Sequence, residues 1–383
     1  MSKRSRALTA LLAGFVAFGV GAQPALAQPA GKPIKIGQII SITGEGAEAG
    51  QYQKWGAELA VEQVNKAGGI KGRPVQLVFE DDKTTNPGAV AALQRLLEDK
   101  EIPAILGAIR STQIQAMLPT INEAALPVMI GGSNYGLTHS GSKWVFRCRP
   151  HDGFSAKVMA KFAVEDLKFK KIAVVHASDA FGNGGRDLVV QELKKLGHEP
   201  ALVQGYNSGE KDFTAVLTAL KQSGADGLIT YMTFSTDVGI MAKQIKQLGI
   251  KVTWLGSPSI TAIDGRKLAG DALYGTYGVA DFHVDASPKA KEFAAAYRAK
   301  HSLLPDVYSS WAYDAVLVLA EAMKRAPDLK PESIRGAILG IKNFWGAEYV
   351  YNFDENGDGL DHYHTVKNEN DTLKLFKTLR VPR

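Results

Sequence analysis

The segment from Ile34 to Asp82 limits the fold more than any other. Ile34-Lys35-Ile36-Gly37 leads into Thr43-Gly44-Glu45-Gly46-Ala47-Glu48-Ala49-Gly50, and an amphipathic run follows from Trp55 to Lys66. Ala67-Gly68-Gly69-Ile70-Lys71-Gly72-Arg73-Pro74 stops that run, and Val75-Gln76-Leu77-Val78-Phe79-Glu80-Asp81-Asp82 reads as a second strand. Strand, glycine-rich turn, helix, glycine stop and strand make one βαβ unit. A chain built this way forms an α/β structure with parallel sheets.

The alternation continues downstream. Strands are expected over 104–107, 127–130, 171–176, 227–231 and 252–255, with helices over 87–100, 111–125, 154–166, 184–196, 212–223 and 237–248. Further helices are expected over 288–301, 309–325 and 331–339; the first and last open with proline, which suits a first helical position. Two similar βα series, one from Ile34 and one from Lys171, each run from strand through a glycine-containing turn into a helix. Two Rossmann-like lobes facing each other across a cleft fit this pattern. No linker rich in proline, glycine or serine shows where the chain passes between them.

The first 27 residues read as an address. Lys3, Arg4 and Arg6 form a basic start, Ala7 to Gly21 an apolar core, and Ala25-Leu26-Ala27 a cleavage site before Gln28. About fifteen apolar residues is short for a membrane span, which needs roughly 20. Removing the three basic residues lowers the net charge from +6 to +3, and no basic run is interleaved with aromatics, so nucleic acid is not an expected partner. Cys148 is the only cysteine, which excludes an internal disulfide, and no cysteine at the cleavage site offers a lipid attachment point. The expectation is a free monomer in a periplasm.

Motifs for catalysis are missing. Gly44-x-Gly46-x-x-x-Gly50 is a residue too long for a dinucleotide fingerprint, and Asp81 lies too far beyond it. There is no nucleophile elbow, zinc-protease helix motif or P-loop, so neither an enzyme nor a cofactor is expected. Asp354-Glu355-Asn356-Gly357-Asp358-Gly359 matches half of a calcium loop, but its twelfth position is Thr365 instead of glutamate, and a turn explains it as well. His362 and His364 share one strand face and read as surface residues, not as a metal site.

Binding chemistry has better candidates. In open α/β sheets, ligands sit at the carboxyl ends of strands, where helix N-termini present free N–H groups. Gly107-Ala108-Ile109-Arg110-Ser111-Thr112 is one such junction, with Ser111 or Thr112 as the expected helix cap, and Gly131-Gly132-Ser133-Asn134-Tyr135 is another. Together they suit a carboxylate, although the same residues also serve as plain caps.

The Ile34–Asp82 run, together with the later junctions, resembles the leucine/isoleucine/valine-binding proteins over about residues 34 to 370. These are extracytoplasmic receptors of branched-chain amino-acid ABC transporters. The resemblance implies a type I periplasmic binding fold, with three crossovers near Asp152, Asp281 and Thr365. Lobe 1 would comprise 28–152 plus 281–364, and lobe 2 would comprise 153–280 plus 365–383. It also implies that Ser111, four residues after Gly107, bonds the ligand carboxylate. In the next small-residue segment, Gly132-Ser133-Asn134, either Ser133 or Asn134 takes the second position. Phe181, Phe234 and Tyr308 would supply an aromatic wall. Two departures stand out: Gly256-Ser257-Pro258-Ser259 lacks the acid that commonly receives an α-ammonium, and Ala49 replaces an aromatic. Asp281 or Asp237 would have to substitute as ammonium partner. The expected function is delivery of an amino acid or related small carboxylate to a permease. An organic-acid binder without an amine, or a ligand-sensing receptor of the same fold, are the alternatives.

Overall fold

The structure, a computed structural model, describes residues 30–381. The first sheet is built from β1 (Ile34–Ile40), α1 (Ala47–Lys66), β2 (Val75–Asp81), α2 (Asn86–Glu98), β3 (Ile105–Leu106), α3 (Ser111–Ala124), β4 (Val128–Ile130) and β5 (Val145–Arg147). Its strands are all parallel, in the order β2-β1-β3-β4-β5. The chain then enters a second lobe through α4 (Asp152–Lys161), β6 (Ile172–Ala177), α5 (Ala180–Lys195), β7 (Leu202–Tyr206), α6 (Thr214–Ser223), β8 (Gly227–Tyr231), α7 (Ser235–Gln247), β9 (Thr253–Gly256), α8 (Ile263–Ala269) and β10 (Tyr277–Ala280). It returns to the first lobe with α9 (Pro288–His301), α10 (Val307–Arg325), α11 (Pro331–Leu339) and a small hairpin, β11 (Phe344–Trp345) with β12 (Val350–Tyr351). A third passage brings β13 (His362–Glu369) and β14 (Thr372–Arg380) antiparallel onto the second sheet, whose order is β14-β13-β10-β9-β8-β6-β7.

Both sheets are covered on both faces, which explains fully buried runs such as Ile172–Ala177. In the first lobe α1 and α10 share one core with Trp311 and Leu319, while Leu93, Ile114 and Met117 fill the opposite face. Helix α1 starts at Ala47, inside the turn expected from the glycines. Positions 50 and 56 are helical yet require glycine because neighbouring backbone runs close: a Cβ would lie 1.8 Å from the Ser41 carbonyl oxygen at Gly50, and 2.1 Å from that of Ser309 at Gly56.

The three passages are joined by buried polar bonds. Arg149 pairs with Asp281, Tyr351 Oη donates to the Cys148 carbonyl at 3.0 Å, and Tyr363 Oη donates to that of Pro150 at 3.0 Å. Strand β13 enters the second sheet at His362, ahead of the expected limit at Thr365. His362 and His364 do share a face, but that face is buried, contrary to the surface expectation, because the Tyr349 ring packs against both imidazoles, its centre 4.5 Å from that of His362 and 6.2 Å from that of His364. Burial pushes the His362 imidazole down to about 3 and also lowers that of His364. The Asp354–Gly359 segment is a turn: Asp354 Oδ1 accepts from the Asn356 and Asp358 amides, and Asp358 is paired with Arg147.

Candidate functional site

The strand ends of both sheets converge on one small pocket between the lobes. From the first lobe it is lined by Ile109, Arg110 and Ser111 after β3, Ser133 after β4, Arg149 after β5, and Val307 and Tyr308 at the start of α10. The second lobe supplies Phe181 at the start of α5, Met232 and Thr233 after β8, and Pro258 and Ser259 after β9. Helices α3 and α7 begin here without a side-chain cap, so their free N–H groups and positive dipole ends face the cleft region.

Ser111 and Thr112 were the expected caps of α3, yet neither caps it; the N-cap is Arg110. Ser111 Oγ instead accepts the Asn134 amide at 3.2 Å, and Thr112 Oγ1 accepts the Ala180 amide across the cleft at 3.2 Å. Because the Ser111 oxygen is already an acceptor, its proton is left to donate elsewhere.

Ser111, Ser133, Phe181 and Tyr308 therefore meet in the pocket. Gly132 does not line it and packs behind, where a Cβ would meet Ile114 Cδ1 at 2.4 Å. Asn134 also stands outside and clasps the lobes, its Nδ2 donating to the Ala180 carbonyl at 2.6 Å. Phe234 lies in a neighbouring cavity, its ring centre 4.9 Å from the Arg110 guanidinium carbon. Neither proposed ammonium partner faces the pocket. Asp281 is buried against Arg149, and Asp237 accepts from Tyr206 Oη at 3.1 Å and the Gly209 amide at 3.0 Å. Burial pushes the Asp237 carboxyl up to about 6.

Arg149 was missed by sequence reasoning. Its signal was a second arginine in Arg147-x-Arg149, two charges following an otherwise apolar strand. Burial works against its charge, but Asp281 opposes that and raises the guanidinium above its ordinary value. Burial likewise lifts the Asp281 carboxyl, and Arg149 counters it.

The lobes are closed on one another. Glu45 of the first lobe accepts from Lys211 Nζ at 2.9 Å and from Thr236 Oγ1 at 2.9 Å, both in the second. Tyr308 Oη lies 3.3 Å from Ser235 Oγ, and the Ile263 amide donates to Asp306 Oδ2 at 3.3 Å. Among the described residues, no cluster of three or more histidine, cysteine or acidic side chains is placed to hold a metal ion. No helix there is long and apolar enough to cross a membrane.

Two lobes built on mainly parallel sheets that close over a pocket at their strand ends define a two-lobed small-molecule binding protein. The chain belongs to the periplasmic binding protein family, whose model matches residues 33–362. It is 29% identical over 356 residues to a leucine-, isoleucine-, valine-, threonine- and alanine-binding protein of Pseudomonas aeruginosa, spanning 93% of this chain and 92% of that one. A leucine-binding protein from Thermotoga maritima superposes with a TM-score of 0.85 at 26% identity, covering 91% of this chain and 99% of that one. A branched-chain amino-acid transporter substrate-binding protein from Streptococcus pneumoniae, solved with isoleucine, gives a TM-score of 0.84 at 25% identity, covering 91% and 100% respectively.

Proposed function

We propose that this protein is the substrate-binding component of an ABC transporter, capturing a branched-chain amino acid or a related small carboxylate and delivering it to the permease. The observation that carries this reading is the meeting of Ser111 and Ser133, at strand–helix junctions of one lobe, with Phe181 and Met232 of the other in a single pocket. The ligand carboxylate accepts from hydroxyls and from amides at the uncapped start of α3, as charge-assisted bonds. Its apolar body lies against Phe181, Met232 and Val307. The relatives named as leucine- and branched-chain-binding proteins support the amino-acid class. The lobes are taken as 28–152 with 281–364 and 153–280 with 365–383, the last limit moving toward His362, where β13 joins the second sheet.

A ligand that touches both lobes only when they are closed favours the closed state by population shift. Saturating ligand is therefore expected to reduce the radius of gyration in small-angle scattering. Tight binding with an unchanged scattering curve would remove the hinge from the mechanism.

Export rests on Lys3, Arg4, Arg6 and Ala25-Leu26-Ala27, which lie outside the described residues. N-terminal sequencing of periplasmic material is expected to start at Gln28. Recovery of intact Met1 in the membrane fraction would contradict it.

A further inference from the structure

The geometry points to a ligand that carries a carboxylate but no ammonium group, with Arg149 as the residue that receives the anion and Asp281 as the residue that positions Arg149. This rests on the reading of the pocket as the ligand site and names the class of molecule that fits it.

A guanidinium has five N–H donors in a fixed fork. Arg149 commits Nε to Asp281 and one Nη1 proton to the Gly131 carbonyl at 2.8 Å, which leaves three donors for a guest. Arg149 is only 6% exposed and lines the pocket, so water competes weakly for those donors. The pocket's other polar side chains are the hydroxyls of Ser111, Ser133, Thr233, Ser259 and Tyr308 and the guanidinium of Arg110. None is an anion. The negatively charged acceptor therefore comes with the ligand, and a carboxylate matches the fork.

An ammonium finds no counterpart there. Asp281 is taken by Arg149, and Asp306 caps α10 through the Tyr308 and Ser309 amides. Asp264 accepts from Ser235 Oγ at 2.6 Å, and Glu45 is engaged by Lys211 and Thr236 at the rim. None of these four acids lines the pocket. An α-amino acid would bury its ammonium beside two guanidiniums without a counter-charge, which is costly. Pro258 lines the pocket and extends the apolar wall formed by Ile109, Phe181, Met232 and Val307. The body of the ligand is accordingly branched aliphatic or aromatic.

The test is calorimetry on protein freed of bound ligand, titrated with leucine, valine, 4-methylpentanoate and phenylacetate. The amine-free acids are expected to bind about 100-fold or more tightly than the amino acids, about 2.7 kcal/mol. Leucine or valine binding as tightly, with the scattering change described above, would overturn the ligand class while leaving the pocket as the site. If neither class binds, the class falls together with the small-carboxylate reading. Arg149→Gln alone strands a buried carboxylate, so the double variant Arg149→Gln/Asp281→Asn, which removes both charges together, is the informative one. With its melting temperature retained, it is expected to lose about tenfold or more in affinity for the acids. Unchanged affinity would assign the carboxylate to the start of α3 and remove Arg149 from recognition.

Discussion

Asp358→Ala is expected to destabilise the folded protein by about 3–5 kcal/mol, the cost of leaving a buried charge without its partner. Arg147 and Asp358 have side chains 0% and 1% exposed, with Nε 2.8 Å from Oδ1. Arg147 also donates to the Asn134 carbonyl at 2.9 Å and to Thr138 Oγ1 at 2.6 Å, and Thr138 in turn donates to Asp358 Oδ2 at 3.0 Å. The pair thus fixes the segment after β4 that carries Ser133 and Asn134, so ligand affinity should fall along with stability. Urea unfolding measures the first effect and calorimetry the second. Arg147→Met/Asp358→Leu, which removes both charges for apolar groups, should recover most of the stability, since an intact buried pair contributes little over apolar packing. A loss below about 0.5 kcal/mol for Asp358→Ala would put the pair among ordinary surface substitutions.

The same residues show why the half calcium loop was ambiguous in sequence. Asp354, Asn356 and Asp358 have the composition of a cation loop and of a turn alike. What separates the readings is Arg147, more than 200 residues upstream, whose backbone bridges the loop at the edge of β5: its amide donates to the Gly357 carbonyl at 2.8 Å, and its carbonyl accepts from Gly359 at 3.0 Å. Local pattern carries no information about a partner at that distance.

The parallel βα series were legible because most of their strands, Ile172–Ala177 above all, are buried apolar runs and their helices carry glycine and proline punctuation. Strands β5, β7 and β10 (Tyr277–Ala280) were not. Val145–Arg147 is only three residues long, and Leu202–Tyr206 is an edge strand with little continuous burial. His362 and His364 failed for a related reason: polar residues alternating on a strand suggest a wet face, whereas Tyr349, from another element, packs over both rings and dries it. In the site, Ser111 and Ser133 come from strand–helix junctions, where strand-end position fixes where a side chain goes, and Phe181 and Tyr308 come from the family resemblance; all four line one pocket. Asn134, Phe234 and Asp281 do not line that pocket, for a reason that is pairwise and so has no local sequence pattern. Each turns toward a partner on another element: the Ala180 carbonyl, Arg110 and Arg149 respectively.

Ser111→Ala is expected to weaken ligand binding by roughly 10- to 150-fold, the equivalent of about 1.5–3 kcal/mol for a hydrogen bond to a charged group. Ser111 is 2% exposed at the first turn of α3, where no side chain caps the helix. Its oxygen accepts the Asn134 amide, which leaves the hydroxyl proton free to donate to a guest in the pocket that Ser111 lines. A bound carboxylate would accept that proton together with the first amides of α3, so serine supplies a donor that alanine cannot replace. The substitution also removes the acceptor of the Asn134 amide, so a melting curve must accompany the titration to separate loosening of the loop from loss of the ligand bond. Thr218→Ala is the control: it deletes an exposed hydroxyl of α6 that bonds the Thr214 carbonyl within its own helix, away from the pocket, and it should change affinity little. If a folded Ser111→Ala protein binds as tightly as the parent, Ser111 serves only to brace Asn134, and the carboxylate is held by Arg149 and the backbone.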